Sequence, residues 1–357
     1  MNVTLFGYPK TGKTTLFNLL SGACVPVCAY EEGKREPNAR ACLVPDGRLD
    51  AIAGLYPEKK KIAAGIDLTD LVGVSLGEVK SSLFLGHLRK ADGLVHVVRA
   101  FRDTQVPHAR GRIDPAEDIR HMEDELVLAD LVLIDGRLER LEKDLKKMKD
   151  PEGEKEKDLL KRLRPHLESG RWLRDFPMMP AEEKAVRSFA LLTLKPLLHF
   201  INLDECDLAF LTRPEDMAGL GAAGHSVMAF CGKIENEMAQ LPAEEREAFL
   251  ACYGVVELSS VRFYREAVSF FDRVTFFTVG KDEVRAWTIK KGSAALAAAG
   301  AIHSDIEKGF VRAEVIPTEN LLKFGSLHEA KEAGAIRLEG KDYVVRDGDV
   351  IYFRFAQ

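Results

Sequence analysis

Eight residues near the start carry the clearest chemistry. Gly7-Tyr8-Pro9-Lys10-Thr11-Gly12-Lys13-Thr14 matches GxxxxGK[ST] at every fixed position. The apolar run Val3–Phe6 before it reads as a buried strand, and Thr14–Leu20 after it as a helix. That spacing suits phosphate. Two glycines let backbone N–H groups converge on a β-phosphate, and the helix N-terminus adds partial positive charge. Lys13 is placed to reach β- and γ-phosphates, and the Thr14 hydroxyl to ligate Mg²⁺. Pro9, Lys10, Thr11, Gly12 and Thr15 complete the expected nucleotide cradle. The competing reading is a structural Gly-rich turn, which the strand–loop–helix order disfavours.

Three further segments fit a nucleoside-triphosphate site. Asp70-Leu71-Val72-Gly73 follows the alternating strand Ile66–Thr69 and reads as DxxG. Asp70 would orient the metal through water, and the Gly73 amide would meet a γ-phosphate. Starting the motif at Asp67 would put the Asp70 carboxylate against phosphate, so that register is rejected. Lys13, Thr14 and Gly73 are therefore the catalytic candidates, and Thr14 and Asp70 the metal ligands. The next residue, Val74, cannot position water as a Gln there would. Strand Leu197–Ile201 runs into Asn202-Leu203-Asp204-Glu205, an NxxE where a guanine reader shows NKxD. Asn202, Leu203 and Glu205 are expected near the base, with Asp204 the runner-up acidic reader and GTP the corresponding alternative ligand. Cys231, Gly232 and Lys233, in the loop after the next strand, are expected to complete the base side.

Other reactive side chains have blander readings. His96 lies inside an apolar strand and reads as a satisfied core histidine. Trp287 reads as core before base-stacking, and His303 as structural or RNA-contacting before catalytic. The six cysteines form no CxxC pair and no dense framework, which favours reduced thiols in a cytoplasmic protein over a disulfide scaffold or a zinc site.

The elements that position these residues follow from pattern. A length of 357 residues suggests two or three domains. With 51 Lys+Arg against 56 Asp+Glu, the net charge of −5 gives no global drive toward nucleic acid or anionic membrane. No run of about 18 apolar residues occurs, so no membrane span is expected. The N-terminus lacks the basic and long apolar regions of a signal peptide.

Residues 1–112 and 195–272 read as one α/β unit with a mostly parallel sheet and helices on both faces. Gly93–Arg99, Lys195–Asn202 and His225–Phe230 are further strands. Residues 113–194 read as an inserted antiparallel helical hairpin. Its apolar seam is Leu131, Ile134, Leu138, Leu141, Leu145 and Met148; a break falls at Asp150–Gly153, and Leu159, Leu163 and Leu167 mark the second helix. Residues 136–174 hold 13 Lys/Arg against 9 Asp/Glu, either a solvated face or a partner-binding arm; Lys290, Lys291 and Lys308 add to the case for RNA. Residues 273–357 read as a small separate unit. Its strands are Phe276–Val279, Phe310–Ile316, Asp342–Arg346 and Val350–Phe355, with a helix over Ala294–Ala299.

These residues resemble the YchF / Obg-like ATPase family across nearly the whole chain. The matching stretches are Gly7–Thr14, Glu36-Pro37-Asn38, Val44-Pro45-Asp46, Asp70–Gly73, His96–Arg99, Asn202–Glu205 and Cys231–Glu235. The last unit matches through Glu283–Thr288, Ile302–Asp305, Glu307–Phe310 and Leu338–Tyr343. The resemblance implies a C-terminal β-grasp (TGS) module, a coiled-coil insertion, Mg²⁺ with ATP in preference to GTP, and a hydrophobic residue in place of the Gln. It also implies ribosome or rRNA contact through the coiled coil and TGS module and a translation- or stress-linked role. With no side-chain base visible, hydrolysis is expected to be slow, and a monomer is expected. Two departures stand out. Lys34 occupies the family's switch I Thr position, and the segment after Gly73 is shorter than the family's. Both touch γ-phosphate sensing, so a nucleotide-dependent ribosome- or RNA-binding factor with little or no hydrolysis stands as the alternative.

Overall fold

The structure, a computed structural model, describes residues 1–27, 36–74, 81–217 and 226–356. Lys34, Cys28, His225 and segment 75–80 lie outside the described residues. The chain divides into two compact units, one of residues 2–40 and 68–259, the other of Met1, 41–67 and 260 onward.

In chain order, the first elements are β1 (Asn2–Phe6), α1 (Lys13–Ser21), β2 (Asn38–Leu43), α2 (Gly47–Leu55), β3 (Lys60–Ile62), β4 (Gly65–Asp70), α3 (Ser82–Lys90) and β5 (Gly93–Arg99). The long helices α4 (Pro115–Leu145) and α5 (Pro151–Glu168) and the short α6 (Pro180–Val186) follow, then β6 (Leu197–Asn202), β7 (Val227–Phe230), α7 (Gly232–Gln240), α8 (Ala243–Cys252) and α9 (Ser259–Phe270). The first sheet has the order β2-β4-β1-β5-β6-β7. Strands β1, β5, β6 and β7 are mutually parallel. The Asp67 amide bonds to the Met1 carbonyl and the Leu71 amide to the Leu5 carbonyl, a constant offset that makes β4 parallel to β1. Every residue of β5 and β6 is buried, as strands covered on both faces must be. On one face Phe84 and Leu88 of α3 and Met122 and Leu126 of α4 pack on Phe6 and Leu94. The carboxyl ends of the parallel strands therefore share one edge, where doubly wound sheets hold their ligands.

Helix α4 does two jobs. Asp114 caps it by accepting the Glu117 amide hydrogen at 3.0 Å, and Pro115 sits where its missing N–H costs nothing. Its first turns cover the sheet through Ile119 and Met122; its later turns pair with α5 through Ile134, Leu141, Leu160, Leu163 and Leu167. Arg137–Glu156 at 2.5 Å and Arg164–Asp135 at 2.7 Å cross the hairpin in antiparallel register. Two expectations are corrected here. Met148 lies beyond the helix and is 73% exposed, so the seam ends at Leu145. Asp150-Pro151 begins α5 instead of merely breaking a helix: Asp150 accepts the Glu152 amide hydrogen and Pro151 occupies the first turn.

The remaining elements are β8 (Arg273–Val279), β9 (Glu283–Lys290), α10 (Ala295–Ile302), α11 (Ser304–Lys308), β10 (Phe310–Pro317), α12 (Thr318–Phe324), α13 (Leu327–Glu332), β11 (Arg337–Glu339) and β12 (Asp349–Phe355). The second sheet has the order β11-β10-β12-β8-β9-β3. A β8–β9 hairpin, a central parallel β12–β8 pair and an antiparallel β10–β12 pair with a helix between the halves make a β-grasp. Helix α10 packs Ala295, Ala298 and Ala299 on one face; Leu49 and Ile52 of α2 and Leu321 of α12 cover part of the other. Strand β3 extends the edge in parallel with β9, and α2 packs on this sheet, so residues 41–67, whose ends also complete β2 and β4 of the first sheet, cluster with 260–272 in this unit. The expected strand Asp342–Arg346 is absent as such: only Val344 bridges, to Ala294. Asp349 Oδ2 accepts both the Tyr343 hydroxyl and the Arg346 amide, which folds the segment back on itself.

One buried charge ties the first unit together. Asp130 on α4 is fully buried, accepts the Thr193 amide and hydroxyl hydrogens at 2.8 Å each, and faces Arg89 at 3.3 Å. Asp130→Ala leaves Arg89 and both Thr193 donors without that acceptor, and removing one partner of a buried pair typically costs about 3–5 kcal/mol. A loss of that size is expected in chemical denaturation; a change under about 1 kcal/mol, the scale of an exposed pair, would refute the assignment.

Candidate functional site

The loop after β1 is shaped by its glycines. Gly12 has φ +96°, and a Cβ there would collide with the Asn202 amide. Gly7 has φ +144°, and its Cβ would lie 2.6 Å from the Val97 carbonyl oxygen. Lys10 also holds a left-handed backbone, φ 62°, a conformation that is uncommon outside glycine. The Tyr8 carbonyl accepts the Lys13 ammonium at 2.7 Å and the Thr11 hydroxyl at 3.1 Å, closing the loop over the N-terminus of α1. The N–H groups of a helix's first turn have no intrahelical acceptor, so the start of α1 has the chemistry to bind an anion.

Asp70, at the end of β4, meets this loop. Its side chain is 3% exposed, and its Oδ2 accepts the Thr14 hydroxyl at 2.8 Å and the Asn38 amide at 3.2 Å. Asp67, the rejected alternative, is exposed. Lys10, Gly12, Lys13, Thr14, Thr15, Asp70 and Gly73 share one cleft with Glu36 and Asn38. Gly73 has no room for a side chain: a Cβ would lie 2.6 Å from Pro9 Cα and 3.0 Å from Lys13 Nζ. Val74 is buried with Phe6, Tyr8 and Leu71, and its amide bonds to the Gly7 carbonyl at 3.2 Å. The Thr14 and Asp70 oxygens, side by side at the loop mouth, are a hard donor pair that fits Mg²⁺ completed by phosphate and water.

The residues expected near the base sit at the ends of β6 and β7 and in the loops that follow them. Asn202 is 5% exposed; its Nδ2 donates to the Thr11 carbonyl at 3.1 Å and its Oδ1 accepts the Gly232 amide at 3.0 Å. It therefore bolts the phosphate loop to the start of α7. The Leu203 side chain lies in the apolar core with Val98 and Ile201, leaving only its backbone for contacts outside. Cys231 is buried at the N-cap of α7, and burial pushes its thiol up. Glu205 pairs with Lys233 at 3.0 Å, joining the two loops. Asp204 accepts the Arg102 and Cys206 amide hydrogens, and the first of these holds its carboxyl below the usual range.

Comparison with known proteins identifies the family. Residues 2–152 match a family model described as "50S ribosome-binding GTPase", and 274–356 match the C-terminal model of YchF GTPases, described as "Protein of unknown function (DUF933)". The chain is 40% identical over 359 residues to the ribosome-binding ATPase YchF of Bacillus subtilis, covering 98% of each. It belongs to the YchF / Obg-like ATPase family. It is also 32% identical to Obg-like ATPase 1 of Oryza sativa, covering 99% of this chain and 92% of that one. The solved YchF GTPase of Schizosaccharomyces pombe superposes with a TM-score of 0.82 at 26% identity, covering 99% and 97%.

Within this family fold, the structure brings together residues that sequence spacing does not pair. Asn38 was visible only as part of Glu36-Pro37-Asn38; its bond to Asp70 spans two strands and follows no short spacing rule. Tyr8 is buried, and burial with nearby Asp118 pushes its phenol up to about 12. His303 Nδ1 accepts the Asp305 amide hydrogen and caps α11, while the Trp287 indole donates to Thr278 under the Arg285 guanidinium.

His96 is a core histidine. Its Nδ1 lies 3.1 Å from that of His199, which meets Glu123 through Nε2 at 3.1 Å. Full burial and His199 hold His96 well below its ordinary value, so it stays neutral when folded. An unfolded histidine protonates near pH 6.5. A depressed folded pKa therefore stabilises above that pH, and this part is lost on acidification. The stability advantage of wild type over His96→Leu is expected to shrink as the pH falls from 7.5 to 5.5. Parallel pH profiles in chemical denaturation would contradict it.

Proposed function

We propose that this protein is a Mg²⁺-dependent nucleotide-binding factor of the ribosome that hydrolyses ATP slowly in the cytoplasm. The observation that carries the reading is the meeting of Thr14 and Asp70 beneath a glycine-shaped phosphate loop. The curated relatives named ribosome-binding ATPases support the ribosomal part. Among the described residues, no helix is long and apolar enough to cross a membrane.

The residues divide the work by position. The loop amides, with Pro9 and Lys10–Thr15, hold the phosphates, and Lys13 balances their charge. Thr14 and Asp70 would hold Mg²⁺, which when bound neutralises charge on the β- and γ-phosphate oxygens. The Gly73 amide approaches the γ-phosphate because nothing larger fits between Pro9 and Lys13. Val74 has no group to orient water and is buried in the core, which favours slow turnover and keeps a non-hydrolysing binding factor as the second reading.

Adenine suits the base side better than guanine. Guanine's paired N–H donors call for a carboxylate, but Asp204 is engaged by two backbone amides and Glu205 by Lys233. We assign ribosome contact to the α4–α5 hairpin and the β-grasp unit, with residues 41–67 counted in the latter. Ion pairs already engage Arg137, Lys155, Lys157, Arg162 and Arg164, so the hairpin's formal positive excess overstates the charge it offers rRNA.

Phosphate release from ATP is expected to be slow alone and faster with ribosomes, with excess GTP a poor competitor. No release under either condition would leave the binding factor; GTP displacing ATP at equal concentration would overturn the adenine assignment. Gly73→Ala forces Pro9 and Lys13 aside. Calorimetry is expected to show at least a tenfold loss of ATP-analogue affinity, about 1.4 kcal/mol, with the melting temperature within a few degrees of wild type. Unchanged affinity would remove Gly73 from the site.

A further inference from the structure

We propose that Asn38 is a positioning residue of the metal site, and that its amide sets how strongly Mg²⁺ supports nucleotide binding. The inference rests on the reading of the Thr14–Asp70 pair as the metal site. Asn38 is the first residue of β2 and lines the same cleft as the phosphate loop. Its Nδ2 donates to Asp70 Oδ2 at 3.2 Å, the oxygen that also accepts the Thr14 hydroxyl at 2.8 Å.

Both donors can stay in place when a cation is present. A hydroxyl that ligates a cation offers an oxygen lone pair and keeps its O–H, so Thr14 can serve as a ligand and still donate to Asp70. The Asn38 amide donates to the same carboxylate oxygen through Nδ2, so a second donor, on another strand, fixes the direction of that carboxylate. A carboxylate that orients metal-bound water needs a fixed direction, and residues that fix metal-site groups through hydrogen bonds typically contribute 10–100-fold to metal affinity. Position supports the role as well. Asp70 closes β4 and Asn38 opens β2, and the two strands are neighbours in the sheet, so the short Asn38 side chain reaches Asp70 from a strand of the same sheet. The carboxylate of Glu36, two residues earlier, lines the cleft too, but a carboxylate cannot donate to Asp70.

The test is a fluorescent-ADP titration of the full chain, with Mg²⁺ varied and with EDTA. Asn38→Ala is expected to keep its EDTA affinity within about twofold of wild type. Its half-saturating Mg²⁺ concentration is expected to rise at least tenfold. Asn38→Leu, which keeps the volume without the donor, must behave the same way and so separates loss of the hydrogen bond from loss of packing. A Mg²⁺ curve for both variants that overlays wild type would overturn the inference and leave the site reading standing. Equal loss of affinity with and without Mg²⁺ would also overturn it, since that is what a merely structural role produces. If wild type itself binds ADP with no dependence on Mg²⁺, the metal-site reading falls, and the inference with it.

Discussion

A single amide, that of Asn202, holds the nucleotide edge of the sheet in register. It donates to the Thr11 carbonyl and accepts from the Gly232 amide, so one buried side chain links the loops that follow β1, β6 and β7. The close approach this requires is possible because residue 12 has no Cβ. Burial raises the stakes: an amide shielded from water must have its partners, and losing one leaves a desolvated group that costs about 1–3 kcal/mol. The phosphate loop, Asp70 and the start of α7 can hold a common geometry because the strands beneath them are parallel and buried on both faces. The glycine pattern of the motif thus does more than admit phosphate. It also lets Asn202 reach the loop.

Around that fixed edge, the parts that would sense a third phosphate look restrained. Val74 is committed to the core beside Tyr8 and Leu71, with its amide on the Gly7 carbonyl. Thr14 and Asn38 both address Asp70, whose burial leaves one face toward the cleft. Such a site can bind and discriminate with little side-chain chemistry, because phosphoryl transfer rests mainly on positioning and electrostatics. An apolar residue where water must be aligned limits rate, not affinity.

Much of this was legible in the sequence because the determining signals are local. The phosphate loop is eight contiguous residues, β5 is an apolar run broken by His96 and closed by Arg99, and the hairpin seam repeats every three or four residues. The failures share a physical cause. Strand β3 is three residues long and Lys-rich, so it has no period to read; its pairing with β9 comes from β-grasp geometry alone. The Asp342–Arg346 segment alternates like a strand, yet Asp349 captures Tyr343 and Arg346 and turns it away from pairing. Asp150-Pro151 carries the residue types of both a stop and a start, and the Asp150 cap decides for the start. Asn38 was invisible as a partner of Asp70 because cross-strand contacts depend on sheet order, which spacing along the chain does not encode.

The ligand proposed for the cleft at the ends of β1 and β4 is a nucleoside triphosphate with Mg²⁺. Titration calorimetry with a non-hydrolysable ATP analogue and with ADP, both in Mg²⁺, reads this out. One site per chain is expected, with an analogue that binds at least as tightly as ADP. ADP binding without analogue binding would contradict accommodation of the γ-phosphate, and no heat with either ligand would contradict the site itself.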